Sequence, residues 1–130
     1  MADHPNAELV RRGYAAFSAG DIATMNELFA EDVAWHWPGN HPVSGEHRGR
    51  DAVFAAFMKF AELSGGTLKL EVHDVVANDE HAVALTHVTA SRGGKRLDML
   101  GADVFHIAGG KVSEGWGFAE DQRLDDEFWS

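Results

Sequence analysis

Residues 67–118 constrain the fold most: four strand-length segments follow one another, parted by three short turn signals. The segments are Thr67–Ala77, His81–Ser91, Lys95–Ile107 and Lys111–Phe118. Between them lie Asn78-Asp79-Glu80, Arg92-Gly93-Gly94 and Ala108-Gly109-Gly110. Asn and Gly accept the positive φ values that a tight reversal needs, so each connector reads as a hairpin turn. Consecutive hairpins predict an antiparallel meander. A sheet of this kind has an apolar face that must be covered.

The cover is written upstream. Pro5 to Ala19 carries Leu9, Val10, Gly13, Tyr14 and Phe17 at helical spacing. Gly20 stops that helix and Asp21 can cap a short second one, Ile22 to Ala30. Arg50 to Leu63 reads as a third helix, apolar over a wide arc through Val53, Phe54, Phe57, Met58, Phe60 and Ala61. Between the second and third helices, Val33–Trp37 predicts a short strand stopped by Pro38-Gly39, followed by a loop from Asn40 to Gly49. Glu120–Ser130 reads as an acidic tail, polar until Phe128-Trp129. No repeat or linker divides the chain, so residues 1–130 are expected to form a single domain. Helices packed on one face of a curved antiparallel sheet give an α+β fold, with a pocket between the third helix and the sheet.

Composition narrows the functions open to it. The 130 residues include no cysteine, which removes disulfides, thiol nucleophiles and thiolate metal sites. A net charge of −10 repels phosphate backbones and anionic lipid, so neither nucleic acid nor membrane is an expected partner. Met1 to Asn6 is polar, without a signal-peptide core, and the expected location is the cytoplasm. No glycine-rich phosphate loop joins a strand to a helix and no serine sits in a nucleophile elbow, so no organic cofactor is expected. His36, His41 and His47 match no standard zinc spacing, and the expectation is no metal.

The layout, with specific residues, resembles the nuclear transport factor 2-like superfamily, and within it the SnoaL-like polyketide cyclase and ketosteroid-isomerase-like group. The matching residues are Ala19-Gly20-Asp21, Leu28-Phe29-Ala30-Glu31-Asp32-Val33, Gly49-Arg50-Asp51-Ala52-Val53, Asp103-Val104-Phe105-His106-Ile107 and Gly110-Lys111-Val112-Ser113-Glu114-Gly115-Trp116. The resemblance spans roughly Asn6 to Phe118. It implies a cone-shaped cystatin-like sheet whose outer face carries a homodimer contact. It does not fix the chemistry, because the superfamily holds isomerases, cyclases, hydrolases, dehydratases and non-catalytic binding domains.

Asp103 is the leading candidate for chemistry. It lies in an otherwise apolar strand, where a carboxyl must be paired, solvated or protonated. It matches the acid that, in ketosteroid isomerase, stays neutral and donates a hydrogen bond to the substrate oxyanion; that enzyme is the standard case of such an acid. The alternative is a strand aspartate bonded only to its neighbours. His87 is the second candidate: the resemblance puts its face toward the pocket, where it could hydrogen-bond Asp103 or serve as base, if the Arg92-Gly93-Gly94 turn carries one extra residue. The alternative is a histidine on the outer face or in a dimer contact. Trp35 and Trp37 share one strand face, and the isomerase base aligns with Trp37. The isomerase tyrosine aligns with Gly13, one position and about 100° from Tyr14. Steroid isomerisation of the usual kind is therefore not expected. The resemblance implies that Gly115 and Gly117 line the pocket and Glu114 and Trp116 the outer face, unless a bulge inverts that parity.

The expected function is a cofactor-independent enzyme using acid/base chemistry on a small hydrophobic carbonyl compound, as a cyclase, isomerase or dehydratase. Asp103 and His87 would be catalytic, with Tyr14, Trp35, Trp37, Phe54, Phe57, Met99 and Phe105 as the hydrophobic pocket. The alternative is a non-catalytic small-molecule binding domain of the same fold. Either would act as a homodimer through the sheet.

Overall fold

A computed structural model describes residues 3–130 in the order α1 (Pro5–Ala19), α2 (Ile22–Leu28), β1 (Phe29–Trp37), β2 (Gly45–Arg48), α3 (Arg50–Leu63), β3 (Lys69–Ala77), β4 (His81–Arg92), β5 (Lys95–Ala108), β6 (Lys111–Ala119) and α4 (Gln122–Trp129). The six strands make one curved, unclosed sheet in the order β2-β1-β6-β5-β4-β3. β3 to β6 form the antiparallel meander, and β1 joins its far side parallel to β6. The fold is α+β, as the order of segments predicts.

Local chemistry sets the helix ends. Pro5 opens α1, where its missing N–H costs nothing, and Gly20 closes it at φ 68°. Asp21 then caps α2 by accepting from the Thr24 backbone N–H at 3.1 Å. The core forms where the helices meet the concave sheet face. One cluster joins Leu9, Val10, Phe29, Val33, Trp35, Phe105 and Ile107; a second joins Leu97, Met99, Phe128 and Trp129. No helix among the described residues is long and apolar enough to cross a membrane.

Three boundaries differ from the sequence reading. The segment read as loop after Trp37 contains β2, an edge strand whose Glu46 and His47 pair with His36 and Trp35. β1 starts at Phe29, because residues read as the end of a helix pair instead with β6. The acidic tail holds α4: Asp121 caps it by accepting from the Leu124 N–H at 3.2 Å, and Phe128 and Trp129 are buried at its end. An eight-residue helix is marginal alone, so docking of these two rings is what stabilises it.

Candidate functional site

Strand register decides which side chains meet beneath the helices. In β5 the inward positions are Leu97, Met99, Gly101, Asp103, Phe105 and Ile107. Asp103 lies opposite Ala84 of β4 and Gly117 of β6. Its side chain lines a cavity of about 160 Å³, shared with Tyr14, Trp35, Trp37, Phe57 and Met99. An apolar cavity of about 150 Å³ already holds a benzene ring.

The Tyr14 hydroxyl donates to Asp103 Oδ2. The tyrosine ring stands edge-on to Phe105 at 6.2 Å. Burial pushes the Asp103 carboxyl up to about 6, with the Tyr14 hydrogen bond opposing. Burial also raises the Tyr14 hydroxyl well above its ordinary value, and the neighbouring carboxylate adds to this. The tyrosine therefore remains a donor at any physiological pH, while the aspartate titrates near it. Although α1 carries Gly13 at the position aligned with the isomerase tyrosine, Tyr14 is the residue that reaches the acid. Both positions border the cavity, and the long side chain makes up the offset.

His87 is not part of this group. The β4–β5 turn is two residues, Gly93 at φ 53° and Gly94 at φ 80°, with Arg92 facing Lys95. Two consecutive positive φ values suit a two-residue hairpin and leave no extra residue. Thr86 and Val88 therefore face the cavity and His87 faces away from it. There its Nε2 meets Asp98 Oδ1 at 2.6 Å, and this partner holds the imidazole above its ordinary value. Phe54 also differs from expectation. It packs behind the wall, against Phe29 at 5.5 Å, and does not border the cavity.

Glycines in β6 make room for the tryptophans. Ser113 is an extra residue on β6, its hydroxyl donating to the His106 carbonyl at 3.2 Å, so that His106 faces Glu114 and Asp103 faces Gly117. A Cβ on Gly117 would lie 2.9 Å from Trp37 Nε1, and one on Gly115 would overlap the Trp35 ring. Trp35 is 4% exposed, and its Nε1 has no hydrogen-bond partner among the described residues, a buried donor that a bound molecule or water would satisfy.

Among the described residues two groups of side chains are arranged as metal ligands could be. On the outer face His36 stacks on Trp116 at 5.0 Å and pairs with Glu114 at 2.6 Å, with Glu46 3.9 Å away. His41, Asp125 and Asp126 cluster where α4 docks. The sequence reading missed Asp125 altogether: it was part of an acidic tail, with no periodicity to mark it as facing a cavity.

A curved sheet, antiparallel except where β1 meets β6, roofed by three N-terminal helices and with an acid inside, is the nuclear transport factor 2-like fold. The SnoaL-like domain family model matches residues 10–115. An uncharacterized protein of Mycobacterium tuberculosis is 37% identical over 131 residues, covering all of both chains. Bal32a, from a soil-derived mobile gene cassette, is 43% identical, covers 97% of each chain and superposes with a TM-score of 0.93. A putative SnoaL-like polyketide cyclase from Jannaschia sp. CCS1 shares the fold at 17% identity, with a TM-score of 0.81 over 97% of this chain and 92% of that one. The chain belongs to the SnoaL-like domain family.

Proposed function

We propose that this protein is a cofactor-independent enzyme that uses Asp103 as an acid/base on a small hydrophobic carbonyl compound, in a cyclisation, isomerisation or dehydration. The observation that carries the reading is a carboxyl buried in an aromatic cavity and hydrogen-bonded to Tyr14, where burial pushes it up to about 6. A catalytic acid/base works best when its pKa lies near the working pH. Entry of an apolar substrate expels water and raises the carboxyl further. As a base Asp103 takes a proton from the carbon beside a carbonyl and becomes neutral, the charge passing to the enolate oxygen; as an acid it gives a proton to the carbonyl oxygen, and the Tyr14 hydroxyl disperses the negative charge left on its carboxylate. In this reading the proton transfers run between the substrate and Asp103, without a metal. Binding of an apolar ketone is expected to survive exhaustive chelation, as measured by tryptophan fluorescence.

The direct experiment is deuterium exchange at the α-carbon of apolar cyclic ketones, followed by mass spectrometry. Exchange above the solvent rate that Asp103→Asn abolishes would support the reading. Exchange equal in both proteins would end it. The second reading, a binding domain, is favoured by Trp37 standing where the related isomerase has its base; it requires ketone binding without any exchange.

The reading includes a two-fold homodimer through the outer sheet face. Leu85, Leu100 and Phe118, on outward positions of adjacent strands, are 40%, 58% and 47% exposed, an apolar surface that a monomer seldom leaves bare. Light scattering at micromolar concentration is expected to give twice the chain mass, and Leu100→Glu to halve it. A monomeric wild type would refute the dimer.

A further inference from the structure

The cavity has a second polar wall that the Asp103 chemistry does not use. Asp125, on α4, borders it with a side chain 18% exposed. The carboxylate is held from behind. Trp129 Nε1–H donates to Oδ1 at 3.0 Å and Gln122 Nε2–H to Oδ2 at 3.2 Å. The His41 side chain, 1% exposed, places Nε2 3.6 Å from Oδ2. The Val43 backbone N–H donates to His41 Nδ1 at 3.2 Å, so Nδ1 is an acceptor and the ring proton sits on Nε2, toward the carboxylate. A carboxylate offers about four lone-pair sites. These groups take at most three, which leaves at least one site unfilled on a side chain that borders the cavity.

The two acids belong to different parts of the cavity wall. Tyr14 packs with the first core cluster, through Phe105. Trp129, the partner of Asp125, packs with Leu97, Met99 and Phe60 in the second. Trp37 spans the two, 5.8 Å from Trp35 and 5.2 Å from Phe60. The result is an aromatic waist with a hydrogen-bonding carboxyl at each side.

We infer that the cavity takes an elongated, two-ended ligand: an apolar ring system with an oxygen at Tyr14–Asp103 and a hydrogen-bond donor, a hydroxyl or amine, at Asp125. This deepens the proposed function and rests on it for the role of the first oxygen. Asp125 also ties α4 to the body of the protein, so the test must separate anchoring from recognition. Asp126 supplies the control. It accepts from the Asn40 N–H at 2.9 Å and from Gln122 at 3.0 Å, and it does not border the cavity.

The probes are 4-ethylphenol and 4-(2-hydroxyethyl)phenol, single-ring compounds on the scale of the cavity that differ by one terminal hydroxyl. Their dissociation constants are measured at pH 8 by tryptophan quenching, with thermal unfolding recorded for every variant. Wild type is expected to bind the diol about tenfold tighter, the scale of a hydrogen bond to a charged acceptor. Asp125→Asn should remove most of that ratio, and Asp126→Asn should keep it even where it lowers the melting temperature. A wild-type ratio near one overturns the inference without any variant, as does failure of both phenols to bind. An unchanged ratio in Asp125→Asn, or an equal loss in Asp126→Asn, also overturns it. Asp103→Asn is expected to weaken both phenols and leave the ratio intact. Should it weaken neither, the Asp103 reading fails while the Asp125 ratio stands on its own.

Discussion

Asp103→Asn is expected to lower α-carbon exchange on the order of a hundredfold or more, because an amide cannot shuttle a proton. The same change should make the protein more stable above pH 6. In the folded protein the carboxyl sits at about 6, raised by burial from 3.8. The folded state therefore binds more protons than the unfolded chain between about pH 4 and pH 6. Wild-type stability falls as pH rises through that window and stays lower above it. Asparagine has no charge to desolvate and can still accept from Tyr14. The gain at pH 8 should be on the order of 2–3 kcal/mol, vanishing below about pH 4. Urea unfolding of both proteins at pH 3.5 and pH 8 checks this. Equal stabilities at pH 8 would mean that the carboxyl is not buried as described. Tyr14→Phe tests the partner: loss of the hydroxyl removes the bond that holds the carboxylate down, so the acid should titrate higher.

Gly115→Ala is the second large effect. The added Cβ would overlap ring carbons of Trp35, and the rings packed around that indole oppose its displacement. It is enclosed by Phe57 at 5.3 Å, Phe105 at 5.4 Å and Trp37 at 5.8 Å. Overpacking of this kind costs about 1–3 kcal/mol. Trp35→Ala should cost more, about 3–5 kcal/mol, because it empties the centre of the larger cluster. A cycle with Trp35→Leu tests the cause. If the clash is with the indole, Gly115→Ala should cost far less in the Trp35→Leu background. Additive denaturation free energies would place the strain elsewhere.

The two cases show how far the sequence reached into the site. Asp103 was legible because one carboxyl in an apolar strand is an exception that needs a reason. The paired tryptophans and the β6 glycines were legible as alternating sets, and each set does share a face. His87 was misplaced, since a face assignment counts residues through a turn, and the glycine turn has two residues rather than three. Asp125 was invisible: α4 is too short and too polar to announce itself, and only docking of Phe128 and Trp129 brings its carboxylate to the cavity.

By itself the sequence determined the meander, the three roofing helices and their caps, because those follow from turn chemistry and apolar spacing within short windows. Tertiary structure decided what faces what. The bulge at Ser113 sets Gly117, not Trp116, opposite Asp103. The packing of α1 delivers Tyr14 to the acid across 89 residues of chain. A one-residue shift in register turns every side chain of a strand to the other face, and no local pattern carries that information.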